Sequence, residues 1–154
     1  MGFLILRPWV QLPPRTPFFI LMMNDIVYLN ATTVSYHGKA LAIMGQPAGG
    51  KSTLALLLIQ QGWKLVADDL TYFTQKGRLL YANVAKRYAG VLFIRGQGFI
   101  KNIPTADKVP LVGILYLGSP YKNNFLPDTG DIPVFFTPMH SQKLPDDVFK
   151  LFNG

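Results

Sequence analysis

Hydrophobic and polar positions follow an irregular pattern at the start of the chain and a regular one from Asp25 onwards. In residues 1–23, prolines divide the apolar residues into short runs, none of which approaches the roughly 20 residues that cross a membrane. This stretch also lacks the positively charged start and the small-residue cleavage site of a signal peptide. We predict that residues 1–23 form a poorly ordered N-terminal extension and that residues 24–154 form one domain without membrane contact.

Beyond the extension, the apolar runs predict several strands and one long helix. His37-Gly38 is a turn signal, so the strands on either side of it are expected to form a hairpin. The run Ala40–Met44 is apolar throughout, as in a strand that is buried on both faces. Gly62 is expected to end the helix. The elements predicted in this region are strands at Ile26–Leu29, Thr32–Tyr36, Ala40–Met44 and Trp63–Ala67, and a helix at Lys51–Gln61.

The order strand, loop, helix, strand describes a βαβ unit, which favours parallel strands. We therefore predict an α/β fold in which helices flank a mixed, mostly parallel sheet. The rest of the chain adds shorter elements. They are a hairpin of Leu70–Thr74 and Arg78–Ala82, a short helix at Ala85–Ile94, a loop at Gly96–Gly98, a core strand at Val109–Leu117, irregular loops over residues 118–147 and a helical turn at Val148–Phe152.

Between the buried strand and the helix lies the motif G-x-x-x-x-G-K-[ST], which is typical of loops that bind nucleotide phosphates. Its glycines let backbone N–H groups surround the phosphates, and the helix N-terminus adds its positive dipole end. Lys51 is expected to reach the β- and γ-phosphates, and the Ser52 hydroxyl to bind Mg²⁺. The sequence thus predicts binding of a nucleoside triphosphate and Mg²⁺ by Gly45, Gln46, Pro47, Ala48, Gly49, Gly50, Lys51, Ser52 and Thr53.

Two adjacent acids, Asp68 and Asp69, follow the next predicted strand. In open α/β sheets, ligands bind at the carboxyl ends of the strands, where the phosphate loop is also expected. One carboxylate at this edge can hold Mg²⁺, directly or through water, and the other can accept the proton of a hydroxyl nucleophile. Neighbouring residues at a strand end point in different directions, so the pair suits two separate roles.

Composition and charge narrow the chemistry further. The chain has no cysteine, which excludes disulfides, thiolate metal sites and cysteine nucleophiles. With only two histidines, His37 and His140, we expect no histidine metal cluster, and we interpret both as turn or loop residues. The net charge of +7 favours anionic partners. Because the basic residues are scattered and no recognition motif is present, we predict no nucleic-acid binding.

The segment Leu29–Phe73 resembles the HPr kinase/phosphorylase family, in the short form that has only the C-terminal catalytic domain. Members of that family show His-Ala-Thr, a phosphate loop, a Leu-Ala-Leu helix, a glycine and then Leu-Val-Ala-Asp-Asp. The matching residues here are Ala31-Thr32, Gly45–Ser52, Leu54-Ala55-Leu56, Gly62 and Leu65–Asp69. A second match is Arg95-Gly96-Gln97-Gly98, which looks like the family signature Arg-Gly-x-Gly.

This resemblance implies a P-loop fold like that of the HPr kinase C-terminal domain and PEP carboxykinase. It also implies an ATP- and Mg²⁺-dependent serine kinase that acts on the phosphocarrier protein HPr, as a cytoplasmic hexamer that regulates carbohydrate metabolism. By the same resemblance, Asp68 is the acid or base at the serine hydroxyl, and Lys51 holds the phosphates. Ser52 and Asp69 serve the metal, and Arg95 shapes the site around the phosphates.

The chain departs from the family pattern at several positions. Asn30 replaces the histidine before Ala-Thr, and an amide does not titrate near neutral pH. Phe93 replaces an acidic residue that supports the metal, and Pro47-Ala48 and Thr53 also differ from the family residues. Two other interpretations therefore stay open. One is a small-molecule kinase that has lost HPr recognition, and the other is a non-catalytic nucleotide-binding or interaction module.

Overall fold

Eleven strands and two helices make up the part of the chain that the computed structural model describes, namely residues 22–23, 26–46, 50–77, 79–118 and 132–153. The strands are β1 (Met22–Met23), β2 (Ile26–Leu29), β3 (Thr32–Tyr36), β4 (Lys39–Gly45), β5 (Lys64–Ala67), β6 (Thr71–Lys76), β7 (Leu79–Asn83), β8 (Leu92–Ile94), β9 (Gly98–Ile100), β10 (Val109–Leu117) and β11 (Val134–Thr137). The helices are α1 (Lys51–Gln60) and α2 (Asp146–Phe152), and a 3-10 turn covers Lys86–Tyr88.

The predicted N-terminal extension lies almost entirely outside the described residues, which begin at Met22. Its last two residues, Met22 and Met23, form β1 and pair with β2. For residues 1–21, poor order stays a prediction. Within the described residues, no helix has both the length and the apolar character needed to cross a membrane.

The long strand β10 is central to the main sheet of the described chain. The strand order is β1-β2-β6-β7-β10-β4-β3-β5, and β11 also pairs with β10. The start of β10 pairs with β7, whereas its second half pairs with β11. The pairings of β10 with β4 and with β11 are parallel, and the other pairings in this sheet are antiparallel. The sheet is therefore mixed, and the prediction of a mostly parallel sheet is wrong.

The predicted hairpin of β3 and β4 explains why few neighbouring strands are parallel. It places β3 directly beside β4, and β5 then pairs with the other edge of β3. Both of these pairings are antiparallel, so β4 and β5 point in the same direction with β3 between them. The βαβ unit of β4, α1 and β5 is thus present, but its two strands are not neighbours.

β4 is buried on both faces, as its sequence predicts. Ala40, Ala42 and Met44 belong to a hydrophobic core shared with β2, β6 and β7. Leu41 and Ile43 belong to a second core shared with α1, α2 and β8. All five side chains are fully buried. This double burial fixes the position of the strand from which the phosphate-loop sequence departs.

The carboxyl ends of the three parallel strands lie side by side. Leu117, the last residue of β10, pairs with Gly45 of β4 and with Thr137 of β11. The chain segments that follow β4 and β11 therefore leave the sheet at the same edge, on either side of β10. Ligands bind at such edges in α/β proteins.

Most predicted elements are confirmed, with shifts of one or two residues at their ends. The predicted helix at Ala85–Ile94 is wrong, because only a 3-10 turn forms there and Leu92–Ile94 is a strand. Gly90 interrupts the segment with a φ of 72°, and a Cβ atom at this glycine would lie 3.0 Å from the carbonyl oxygen of Ile103. β11 lies within residues 118–147, which were predicted to be irregular loops, and residues 119–131 of that segment lie outside the described chain. β9 begins at Gly98, the last residue of the predicted loop at Gly96–Gly98.

Candidate active site

Seven of the twelve predicted site residues line one cavity of about 670 Å³ at the carboxyl edge of the sheet. Its lining contains both predicted acids, the arginine of the Arg-Gly-x-Gly match and the first residues of α1. The lining residues are Gly50, Lys51, Ser52, Thr53, Asp68, Asp69, Tyr88, Val91, Phe93, Arg95, Phe99 and His140. Gly45 and Gln46 are described but do not line this cavity, and Pro47, Ala48 and Gly49 lie outside the described residues.

The start of α1 places a lysine and a serine at the floor of the cavity. Gly50 precedes the helix with a φ of 95°, a conformation that glycine adopts without strain. The Lys51 ammonium donates a hydrogen bond to the Gly45 carbonyl oxygen at 3.1 Å. Burial lowers the pKa of Lys51 from its ordinary value, and the carboxylates of Asp69 and Asp68 oppose part of this shift. An anion in the cavity would therefore meet a poorly solvated cation.

Asp68 is held by three hydrogen-bond donors from three different parts of the chain. Its Oδ1 accepts from the Ser52 hydroxyl at 2.8 Å and from the Thr32 hydroxyl at 2.9 Å. Its Oδ2 accepts from the backbone N–H of Phe93 at 2.9 Å. The carboxylate is thus fixed between α1, β3 and β8. An ionised carboxylate offers about four lone-pair positions, so one acceptor position on Oδ2 is left for a further donor.

Asp69 has a different environment from its neighbour. It is exposed, and its backbone has a φ of 66°, in the left-handed region. Its backbone N–H donates to the Thr32 hydroxyl at 3.2 Å, so the buried Thr32 holds both acids in place. Both Asp69 and Asp68 line the cavity.

One wall of the cavity comes from a small hairpin of β8 and β9, which pair only with each other in the described chain. Arg95 lies in its turn and is exposed. Phe93 and Phe99 project from its two strands with exposed fractions of 48% and 67%, and their rings make an edge-to-face contact at 5.1 Å. This wall combines one cation with aromatic surface, and the Phe93 N–H joins it to Asp68.

The side chains present fit Mg²⁺ in the way that nucleotide-binding sites commonly hold it. Hard oxygen donors lie close together, because the Ser52 hydroxyl is 2.8 Å from Asp68 and Asp69 lines the same cavity. Across the described residues, no group of three His, Cys, Asp or Glu side chains could form a complete metal cage. Mg²⁺ usually needs only one or two carboxylates when substrate phosphates and water complete its shell.

Three contributors to the site could not be identified from the sequence pattern. Thr32 was matched only as part of Ala-Thr, and its contact with Asp68 spans 36 positions along the chain. The Phe93 bond uses the backbone, which no side-chain pattern reveals. His140 was interpreted as a loop residue, yet it lines the cavity. Asn30, a noted departure from the family pattern, is not among the lining residues.

Comparisons with known proteins show which family the chain is similar to. The model of the family "HPr Serine kinase C-terminal domain" matches residues 23–106. The HPr kinase/phosphorylase of Chloroherpeton thalassium is 34% identical over 102 residues, which are 60% of this chain and 30% of that protein. That of an Exiguobacterium species is 35% identical over 86 residues, 55% of this chain and 28% of that protein. The matched region thus spans less than a third of these relatives.

A solved structure has a similar fold. The Hpr(Ser) kinase/phosphatase from Coxiella burnetii superimposes with a TM-score of 0.65, over 80% of this chain and 87% of that one. Sequence identity to it is 23%, so the similarity concerns the fold.

Proposed function

The chain belongs to the HPr serine kinase C-terminal domain family, and from this premise we propose that it is an ATP- and Mg²⁺-dependent serine kinase. In this proposal, ATP places its phosphates at the start of α1. The γ-phosphoryl group passes to a serine hydroxyl of the phosphocarrier protein HPr. The product regulates carbohydrate uptake in the cytoplasm, and the active form is a homo-oligomer, which by family resemblance is a hexamer.

The observation that carries the proposal is the 2.8 Å bond between Ser52 and Asp68. It joins the residue that ends the phosphate-loop motif to the first of the two acids. A phosphoryl donor held by Lys51 and an acceptor hydroxyl at Asp68 would therefore be neighbours. Phosphoryl transfer depends mainly on such positioning and on charge stabilisation, because the protein contributes little covalent chemistry.

Each charged group has a separate role in this mechanism. Lys51 stabilises the negative charge of the β- and γ-phosphates, and Arg95 approaches them from the hairpin wall. Asp68 accepts the serine proton at Oδ2, the oxygen that has only the Phe93 N–H as a partner. Ser52 and Asp69 are the residues that would hold Mg²⁺, which when bound neutralises charge on the phosphate oxygens.

The test is transfer of label from γ-labelled ATP to HPr, with Mg²⁺, by the wild-type protein and three variants. We expect label on an HPr serine with the wild type and none with Lys51→Ala. Asp68→Asn should bind ATP but transfer at least 100-fold more slowly, since a general base typically contributes 10²–10⁴-fold. Asp147→Asn, which changes an exposed acid on α2, is the matched control and should transfer normally. Equal labelling by Asp68→Asn and the wild type would contradict the proposed mechanism.

A second candidate, a nucleotide-binding module without transfer, is favoured by Phe93. This exposed aromatic side chain stands where the family pattern has an acid, so the cavity has two carboxylates. ATP binding by the wild type without label on HPr, and without release of phosphate, would support this candidate.

A further inference from the structure

His140 reaches the cavity from a part of the chain that no motif marks. It follows β11 in a turn that is closed by a hydrogen bond from the Ser141 N–H to the Pro138 carbonyl oxygen at 3.2 Å. Its backbone has a φ of 62°, a left-handed conformation in which histidine occurs more often than most residues. The imidazole is exposed to the cavity rather than buried in the core.

The parallel strands explain this position. Since β4 and β11 end on either side of the end of β10, the turn after β11 begins at the sheet edge where β4 ends. The Gly118 N–H donates to the Thr137 carbonyl oxygen at 2.8 Å and extends this pairing beyond the last residue of β10. The turn that carries His140 therefore starts from a strand end that is held in place by pairing with β10.

The contact with the start of α1 is close. A Cβ atom built on Gly50 would lie 3.3 Å from the Cα of His140 and 3.7 Å from its Nδ1. The imidazole is thus beside the residue that immediately precedes Lys51, where the N–H groups of the first helical turn are free to bind an anion. A side chain at position 50 would crowd the His140 turn, and the φ of 95° also favours glycine there.

The charged side chains around the cavity leave room for a further hydrogen-bond donor to a phosphate oxygen. Lys51 is engaged with the Gly45 carbonyl, and Asp68 with three donors. Asp69 and Arg95 are the other charged side chains that line the cavity. An imidazole N–H at the helix start can donate to a phosphate oxygen in either protonation state, because one ring nitrogen always carries a proton.

We infer that His140 binds the phosphate chain of the nucleotide directly and is a specificity determinant for phosphate at this site. This inference rests on the proposed function, since it assigns a new contact to the same nucleotide. The group recognised is the anionic phosphoryl oxygen, and the nucleoside plays no part in the contact.

The test uses His140→Gly, because glycine keeps the left-handed backbone and removes only the imidazole. His37→Gly is the matched control: His37 also has a positive φ, of 52°, but lies in the β3–β4 turn at the opposite end of β4. Calorimetric titrations measure the affinity for Mg²⁺ with a non-hydrolysable ATP analogue, and for pyrophosphate, which has phosphates without a nucleoside. We expect His140→Gly to weaken both affinities about tenfold and His37→Gly to leave both unchanged.

Three results would overturn the inference. In the first, the wild type binds both ligands and His140→Gly binds them equally well. In the second, only the affinity for the ATP analogue falls, which would place the contact on the nucleoside. In the third, the wild type and Lys51→Ala both fail to bind, which would overturn the proposed function together with the inference. Thermal unfolding of each variant verifies that the fold is retained.

Discussion

Lys51 places its ammonium group in a partly buried position, and this burial lowers its pKa. The folded, ligand-free protein therefore holds the lysine proton less tightly than the unfolded chain, in which lysine has its ordinary value of 10.5. In the pH window just below that value the unfolded state binds more protons, so the free energy of unfolding rises with pH there. We expect Lys51→Met to remove this rise and to stabilise the ligand-free protein at neutral pH.

Urea unfolding at neutral and alkaline pH measures both effects. Lys64→Met, which changes an exposed lysine on β5, is the control and should keep the wild-type pH dependence. A wild-type pH dependence in Lys51→Met would show that burial of this ammonium does not affect stability. The same variant should lose ATP binding. Lys51 is therefore expected to favour phosphate binding and to lower the stability of the ligand-free protein.

Thr32 is predicted to be a positioning residue, because its buried hydroxyl donates to Asp68 and accepts from the Asp69 N–H. Thr32→Val removes both bonds, which takes the partner of the Asp69 N–H away and leaves Asp68 with the Ser52 and Phe93 donors. We expect the free energy of unfolding to fall by about 1–3 kcal/mol. The transfer rate should fall as well, with little change in ATP affinity.

Chemical denaturation, calorimetry and the labelling assay measure these three quantities for Thr32→Val. Thr32→Ser keeps the hydroxyl and should restore the transfer rate. If the valine and serine variants transfer equally fast, the hydroxyl does not position the acids.

For single residues, the motif and the resemblance predicted five site residues, and all five line the cavity. They are Lys51, Ser52, Asp68, Asp69 and Arg95. Their catalytic roles stay predictions. Thr32 and His140 could not be assigned, because their contacts depend on strand pairings far along the chain. A positioning hydroxyl and a turn histidine have no local sequence signal that distinguishes them from ordinary residues.

Among the elements, the end of β4 at Gly45 is packed very closely against β10. A Cβ atom on Gly45, whose φ is 151°, would lie 2.8 Å from the carbonyl oxygen of Leu117 in β10. Gly62, which follows α1, has a φ of 102° but open space around it. We expect Gly62→Ala to cost about 1 kcal/mol of backbone strain and Gly45→Ala to cost about 2–4 kcal/mol, because strain and contact add.

Denaturant unfolding of the two glycine variants measures the difference. If Gly45→Ala proves no more destabilising than Gly62→Ala, β4 and β10 can move apart enough to accommodate the added methyl group, which contradicts the prediction.

The β8–β9 hairpin is expected to be the least protected part of the sheet structure. Within the described residues its strands pair only with each other, and it is attached through the buried Leu92 and Ile94, the partly buried Ile100 and the Phe93 bond to Asp68. Amide hydrogen exchange should be faster in β9 than in β4 and β10, whose amides should open only with global unfolding. Exchange in β9 as slow as in β10 would contradict this ranking.

The sequence predicted the elements that have a strong local signal, such as β4, α1 and β10. It failed for the hairpin, because Ala85–Ile94 has helix-forming residues and the interruption at Gly90 is imposed by the approach of Ile103. The short run of β11 between two prolines also resembles a loop. It becomes a strand only because the second half of β10 leaves an edge for it.

For the molecule as a whole, nucleotide binding should stabilise the fold by mass action. ATP with Mg²⁺ at 100 times its dissociation constant should raise the free energy of unfolding by about 2.7 kcal/mol. Thermal unfolding across a range of ATP concentrations measures this gain, and Lys51→Ala should show none. An equal gain in that variant would place the binding site elsewhere.

The position of β10 late in the chain has a consequence for folding kinetics. Both β4 and β7 pair with β10, which follows them in the sequence, and β4 precedes β10 by more than 60 residues. Closing such a distant contact costs chain entropy before any strand pairing compensates for it. The chain should therefore fold in milliseconds to seconds rather than microseconds. During synthesis, the phosphate-loop sequence emerges from the ribosome long before the strand that completes its sheet.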